Sequence, residues 1–508
     1  RFLIVTFTSA AAGEMKERIT AKLGEQMQKL QLEENMEDPK VMAKVNYLER
    51  QMALVHKASI STIHSFCLKT IKAYFNRLDI DPNIKVGNQA ELEIMKMEIL
   101  EELLEECFEE EDEDFLALAD VYGNVQGMAT LIRLILDVYT FSKSTPFPEE
   151  WLKLQVRHLK TPYQTVSEMP WADAIKQMIY DQIKDIKIIY KDALALCNLP
   201  NGPMLYGPTL ENDVKPLENI DAHTDLDTLM EAVKQISFAA LPRKKQECDE
   251  ALKEKVKAYR DLAKEVVKDI QSDLAFVEDP KLSAQLPKVG ELMEKLVALI
   301  KEFEQRYSEA KQKAGVVDYS DLEHLCMKLL VEPEFDEKGE YTLHYTDVAK
   351  ELGAFYKEVY IDEYQDSNTV QETILGAVAN ANKEAHTTRF MVGDMKQSIY
   401  RFRLANPLIF AEKYQKFDKH QLEESEAQCM QEATSEGKSP IQDICIDLSQ
   451  NFRSRDNILQ GVNDIFEQVM STEVGELEYD DYAKLYVGNL YNEGNSEGLS
   501  PHSLAESI

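Results

Sequence analysis

Apolar positions recur along this chain in two rhythms. Leu252, Val256, Tyr259, Leu262, Val266 and Ile270 return every three to four residues, as do Leu292, Leu296, Leu299, Phe303 and Tyr307. That period places each set on one face of a helix and predicts that both faces are core. The stretch from about 90 to 312 keeps this helical rhythm, interrupted by Pro- and Gly-bearing segments such as "LPNGPMLYGP" at 199–208, which predict loops. Outside it the apolar runs are short. "RFLIVTFTS" at 1–9, "VYID" at 359–362, "RFMVGD" at 389–394 and "ICIDL" at 444–448 each give way to polar residues and then to a helical period. Residues 58–75, "ASISTIHSFCLKTIKAYF", turn from polar to amphipathic near His64. Strand and helix in alternation predict an α/β fold with a mostly parallel sheet and ligands at the carboxyl ends of its strands.

The 508 residues leave room for two to four domains, and 44% hydrophobic with 29% charged residues is ordinary for a soluble globular protein. No apolar run approaches the roughly 18 residues of a membrane span. Arg1 opens directly into a strand with no leader before it, which reads as an internal fragment of a longer chain. Seven cysteines lie scattered without a C-x-x-C pair, so neither a zinc site nor a disulfide framework is suggested, and a reducing cytoplasm fits best. The net charge of −34 argues against indiscriminate coating of nucleic acid while leaving room for a narrow basic channel. Much of that excess is local: residues 101–114, "EELLEECFEEEDED", hold ten acids in a run best read as a solvated face or loop.

Chemistry gathers at the predicted strand ends. Asp362 and Glu363 follow a buried-looking strand, where a first acid can hold Mg²⁺ and a second can orient water toward a phosphate. In "VGDMKQSIYRFRLAN" (392–406), Gln397 can bond a γ-phosphate and a water, while Tyr400 and Phe402 alternate with Arg401 and Arg403, as on stacking platforms for single-stranded nucleic acid. In "DLSQNFRSRDNI" (447–458), Ser454 can cap a helix and Arg453 would lie just before it, within reach of a triphosphate. Taken singly, each has a plain alternative: edge acids in water, a core Phe402 with surface arginines, an arginine closing a turn.

Together and in order, "FTSAAAGEMKERI" (7–19), "STIHSFC" (61–67), "DYSDL" (318–322), "IDEYQDSN" (361–368), "VGDMKQSIYRFR" (392–403) and "NFRSR" (451–455) resemble the motifs of superfamily 1 DNA helicases of the UvrD and RecB type. The wording is most similar to the AddA helicase-nuclease subunits, "YDDYAKLYVG" at 479–488 included, although the helical middle matches only loosely. The resemblance implies a RecA-like motor domain built from 1–85 and 315–417, a helical insertion at 86–314, a polar surface excursion at 418–443, and the start of a second RecA-like domain at 444–508. It implies ATP and Mg²⁺ as cofactors, with Asp362 on the metal, Glu363 activating water, Gln397 sensing the γ-phosphate, and Arg453 as the arginine finger. Phe7, Ser9, His64, Tyr400, Phe402 and Arg403 would line a single-strand track. Partners implied are single- and double-stranded DNA ends and an AddB-type partner protein. The activity implied is 3′ to 5′ ATP-driven translocation in double-strand break repair, with a nuclease domain only in the full-length parent.

Departures qualify the likeness. No phosphate-binding G-x-x-x-x-G-K-[ST] run is present: "EGKS" at 436–439 has Glu432 where the first glycine is required. Without such a loop these residues by themselves are expected not to hydrolyse ATP appreciably. Ser9 replaces the asparagine common at its position. Two other readings stay open, a silent DNA-binding scaffold and a UvrD-like repair helicase without nuclease. The complete set of Asp362, Glu363, Gln397 and Arg453 favours a working motor, and the strand tips near 359, 389 and 444 are then expected to converge on one pocket.

Overall fold

The computed structural model describes residues 1–33, 38–78, 80–123, 128–242, 248–277, 280–382, 387–420, 443–471 and 479–488. They divide into two compact units: Arg1–Asn88 with Lys143–Pro146 and Ala314–Ile508, and Gln89–Ser142 with Phe147–Lys313.

The first unit opens with β1 (Phe2–Thr6), α1 (Ser9–Glu33), α2 (Pro39–Val55), β2 (Ser59–Thr62), α3 (Ile63–Ala73) and β3 (Lys85–Val86). Local chemistry sets these boundaries. Asp38 accepts the Lys40 N–H, with Pro39 at the first helical position of α2, and Thr62 accepts the Ser65 N–H to start α3.

The second unit is all helix among the described residues: α4 (Gln89–Glu109), α5 (Glu113–Tyr122), α6 (Ala129–Ser142), α7 (Pro148–Lys160), α8 (Ala172–Cys197), α9 (Gly207–Val214), α10 (Leu226–Gln235), α11 (Glu250–Val277) and α12 (Pro280–Ala314). Its core packs Ile179, Ile183 and Ile186 of α8 with Val256, Ala263, Val267 and Ile270 of α11. One expected stripe is thereby corrected. Leu262 is 49% exposed and Arg260 only 3%, because the buried face of α11 runs through 256, 260, 263, 267 and 270. An arginine can occupy that face since Asp213, equally buried, meets its Nε at 2.6 Å and Nη2 at 3.1 Å, while Ala239 O accepts a third bond. The second stripe packs inward at Leu296, Leu299, Phe303 and Tyr307. Of the expected loop at 199–208, Met204–Tyr206 form a 3-10 turn and α9 begins at Gly207. In the acidic run α4 turns Leu103, Leu104 and Cys107 inward and leaves Glu101, Glu102 and Glu105 in water. Glu106 departs from the solvated pattern and takes a two-pronged bond from Arg306 at 3.0 and 2.6 Å.

The first unit continues with β4 (Val316–Val317), α13 (Tyr319–Leu330), β5 (Val331–Phe335), β6 (Tyr341–Tyr345), α14 (Asp347–Phe355), β7 (Glu358–Ile361), α15 (Thr369–Asn380), β8 (Thr388–Met391), α16 (Leu408–Lys416), β9 (Asp418–His420), β10 (Ile444–Ile446), β11 (Gln450–Asn451), α17 (Asp456–Val469) and β12 (Tyr486–Val487). Its centre is a four-stranded sheet in the order β2-β1-β7-β8, parallel throughout, with Val5 opposite Ile361 and Ile361 opposite Met391. Leu3, Val5, Val359 and Ile361 point into the core, while Tyr360 lies between the rings of Phe2 and Phe390.

The strand near 444 does not join this sheet. β10 pairs in parallel with β9, and Ile444 and Ile446 are 46% and 47% exposed, so this strand lacks the covered apolar face that would seat it in the centre. The expected convergence of three strand tips in one sheet is therefore reduced to two neighbours, β7 and β8. The first residues of the expected polar excursion are strand β9; positions 421–442, and with them "EGKS", lie outside the described residues.

Candidate functional site

β7 releases the chain at Asp362, whose N–H is held by Val5 O at 3.0 Å. Glu363 then adopts a left-handed backbone (φ 52°, ψ 47°), which costs a non-glycine residue about 1–2 kcal/mol. Hydrogen bonds on both sides secure it: Tyr364 N–H to Val392 O at 2.9 Å, and Asp366 N–H to Glu363 O at 3.0 Å.

Gln365 is the hub of this turn. It is 1% exposed, its Nε2 donates to Glu363 Oε2 at 2.7 Å, and its Oε1 accepts the Asp394 N–H at 3.0 Å. Asp394 in turn takes Gln397 Nε2 on Oδ2 at 2.9 Å and Lys396 Nζ on Oδ1 at 2.9 Å. Glu363 and Gln397 thus end one continuous run of hydrogen bonds spanning the tips of β7 and β8. Gly393 makes the run possible, since a Cβ there would stand 2.6 Å from Gln365 Oε1.

The acids of this turn are crowded. Burial, then the charge of Glu363, raises the Asp362 carboxyl above its usual range, and the same two causes push Asp366 up to about 6. Asp366 Oδ1 is buried with no hydrogen-bond partner among the described residues. No cluster of three or more His, Cys, Asp or Glu among the described residues is arranged to hold a metal ion. One strained carboxylate beside a second fits the way Mg²⁺ is usually held, by one or two carboxylates with phosphate oxygens and water completing its shell.

Beyond the same strand ends lies an aromatic surface. The Phe7 ring stands 4.9 Å from Tyr400, Tyr400 stands 5.9 Å from Phe402, and the Arg403 guanidinium covers both at 5.2 and 5.6 Å. Leu404, left-handed at φ 64°, closes this turn. Phe402 is 75% exposed, which rules out the plain reading of a core residue. Phe7 also lines a cleft of about 320 Å³ with Ser9, Thr62, His64, Tyr319 and Leu322. His64 lies on the first turn of α3, its ring 4.6 Å from Tyr319.

Arg453 stands apart from these groups, on an exposed turn after β11, in the separate β11–β12 pair. Asn451 Oδ1 accepts the N–H groups of Arg453 at 2.9 Å and Ser454 at 2.8 Å. Ser454 does not cap α17: Arg455 occupies that position without a side-chain bond, because the Asn451 carboxamide already organises the turn. Sequence reasoning missed Gln365, Asp394, Tyr319 and Glu323. The signal for Glu323 was a lone acid among Leu322, Cys326 and Leu330 on an otherwise apolar helix face.

Residues 1–418 match the family model described as UvrD/REP helicase N-terminal domain. The chain belongs to the UvrD/REP helicase family. Among curated relatives of this UvrD/REP helicase chain is the ATP-dependent helicase/nuclease AddA of Alkaliphilus oremlandii, 36% identical over 494 residues, covering 96% of this chain and 37% of the relative. The protein of the same name from Bacillus cytotoxicus is 37% identical over 515 residues, covering 100% and 39%. That from Syntrophomonas wolfei is 38% identical over 495 residues, covering 96% and 36%. The chain therefore spans a little over a third of the length of these relatives. No helix among the described residues is long and apolar enough to cross a membrane.

Proposed function

We propose that this chain carries the nucleotide- and DNA-contacting part of an ATP-driven DNA helicase, in a helicase-nuclease of the AddA kind. The observation that carries the reading is the run Glu363–Gln365–Asp394–Gln397, which begins at a carboxylate able to orient water and ends at an amide able to contact a γ-phosphate. It borders the exposed Phe7, Tyr400, Phe402 and Arg403 surface, so a change at the phosphate would be transmitted through the 392–403 turn to rings on which bases can stack.

In this reading the β2-β1-β7-β8 sheet is the centre of a RecA-like motor domain, split by the helical residues 86–314, and the elements from 444 onward begin a second one bearing Arg453. Asp362 would hold Mg²⁺, which brought in with ATP neutralises charge on the phosphates. Glu363 would orient and deprotonate water, Gln397 would report the γ-phosphate, and Arg453 would meet charge developing on it. Ser9 and His64 would contact the strand in the cleft beside Phe7. The 508 residues contain no phosphate-binding loop sequence, so hydrolysis is proposed for a full-length protein that supplies one and not for these residues alone. Movement 3′ to 5′, repair of double-strand breaks in the cytoplasm, an AddB-type partner and a nuclease domain elsewhere in the full-length protein belong to the same proposal.

The test is DNA-stimulated ATP hydrolysis by the full-length protein, with and without Glu363→Gln. A loss of at least about 100-fold with retained oligothymidylate binding is expected. Unchanged hydrolysis would overturn the motor assignment, and absence of hydrolysis in the wild type would move the reading to a silent DNA-binding scaffold.

A further inference from the structure

Glu323 lies on α13, 6% exposed, and three side-chain donors converge on it. His64 Nε2 at 3.1 Å and Gln371 Nε2 at 2.7 Å meet Oε1, and Asn368 Nδ2 meets Oε2 at 3.3 Å. Burial alone would raise this carboxyl, but the bond and charge of His64 with the two amides outweigh it and hold the group below its usual range. An ionised Glu323 can only accept, so in this pair Nε2 of His64 carries the proton and Nδ1 is the ring's remaining polar atom. The Tyr319 ring, 4.6 Å away, further restricts the imidazole. One turn along both helices the buried thiols of Cys67 and Cys326 hydrogen-bond to each other, which keys α3 against α13 at the same register.

We propose that Glu323 is a positioning residue for single-stranded DNA: it fixes the tautomer and ring plane of His64 at the wall of the cleft, so that the imidazole meets the strand without reorganising. The assignment rests on reading that cleft as a nucleic-acid track. An amide cannot replace the carboxylate, because every partner is a donor. Asn368 cannot turn to compensate, since its Oδ1 is committed to the Gln371 N–H at 2.8 Å.

The experiment is a double-mutant cycle in the full-length protein, read as fluorescence anisotropy of a labelled oligothymidylate. Glu323→Gln and His64→Ala are each expected to weaken binding about 10-fold, and the double variant to bind no more weakly than His64→Ala alone. Equal loss from Glu323→Gln in both backgrounds would overturn the assignment, as would wild-type affinity of Glu323→Gln while His64→Ala binds weakly. If Glu323→Gln fails to unfold cooperatively, Gln371→Ala, which removes the second donor from the same oxygen, takes its place with the same outcomes. Absence of binding by the wild type would bring down the cleft reading and this assignment together, whereas additivity in a binding-competent protein brings down the assignment alone.

Discussion

Gln365 donates to the Glu363 carboxylate across 2.7 Å, and the other end of the same amide accepts the backbone N–H of Asp394. One buried side chain therefore fixes the left-handed acid at the tip of β7 and anchors the turn leaving β8. Replacing it with glutamate keeps the size and the acceptor but loses the donor and sets like charges together. Gln365→Glu is expected to destabilise the protein by about 1–3 kcal/mol, more at pH 8 than at pH 5, where one of the paired acids can take a proton. Urea unfolding at the two pH values reads this directly, and equal stability at both would show that the bond to Glu363 is not formed.

Gly393 is the position where backbone must pass closest to that amide. A Cβ added there would lie 2.6 Å from Gln365 Oε1, 3.0 Å from Phe410 Cε1 and 3.2 Å from Gln365 N, so one neighbour in each direction has to move. Gly393→Ala is expected to cost about 1–3 kcal/mol. Gly13, on α1, meets nothing within 4 Å, and alanine there should stabilise by up to about 1 kcal/mol through helix propensity. Opposite signs for these two substitutions in thermal melts separate a packing effect from a generic response to alanine.

Phe402 is exposed enough that folding does not depend on it. Phe402→Ala should leave the melting temperature unchanged while weakening oligothymidylate binding by about 1–3 kcal/mol, the range for removing one stacking ring. Wild-type affinity in the variant would remove the aromatic turn from the proposed track.

Glu372 makes an acid-sensitive contribution to stability. It takes bonds from Arg389 at 2.9 Å, Lys413 at 3.0 Å and Tyr364 Oη at 2.6 Å. Burial acts to raise its carboxyl, but Arg389, Tyr364 and Lys413 prevail and hold it below the ordinary 4.5. The folded state therefore binds this proton less readily than the unfolded chain. The stabilisation is complete above pH 4.5 and drains away as pH falls through the lowered folded value. Glu372→Gln should cost about 3 kcal/mol near pH 7, with the gap to wild type closing under more acid conditions in chemical denaturation.

The periodicity of the chain determined what is local. Helices of the second unit, the short strands at 2–6, 358–361 and 388–391, and acids at a strand exit all follow from spacing that each segment carries within itself. Tertiary structure decided which groups share an environment. Arg260 replaced Leu262 on the buried face of α11 because Asp213, far off in sequence, supplies the counter-charge. Gln365 reaches Asp394 only because β7 and β8 lie side by side, and Glu323 serves His64 only because α13 packs on α3. A hydrophobic period reports which face of a segment avoids water. It does not say which polar group on another segment will be waiting there, since that depends on backbone pairing and helix packing spread over the whole unit.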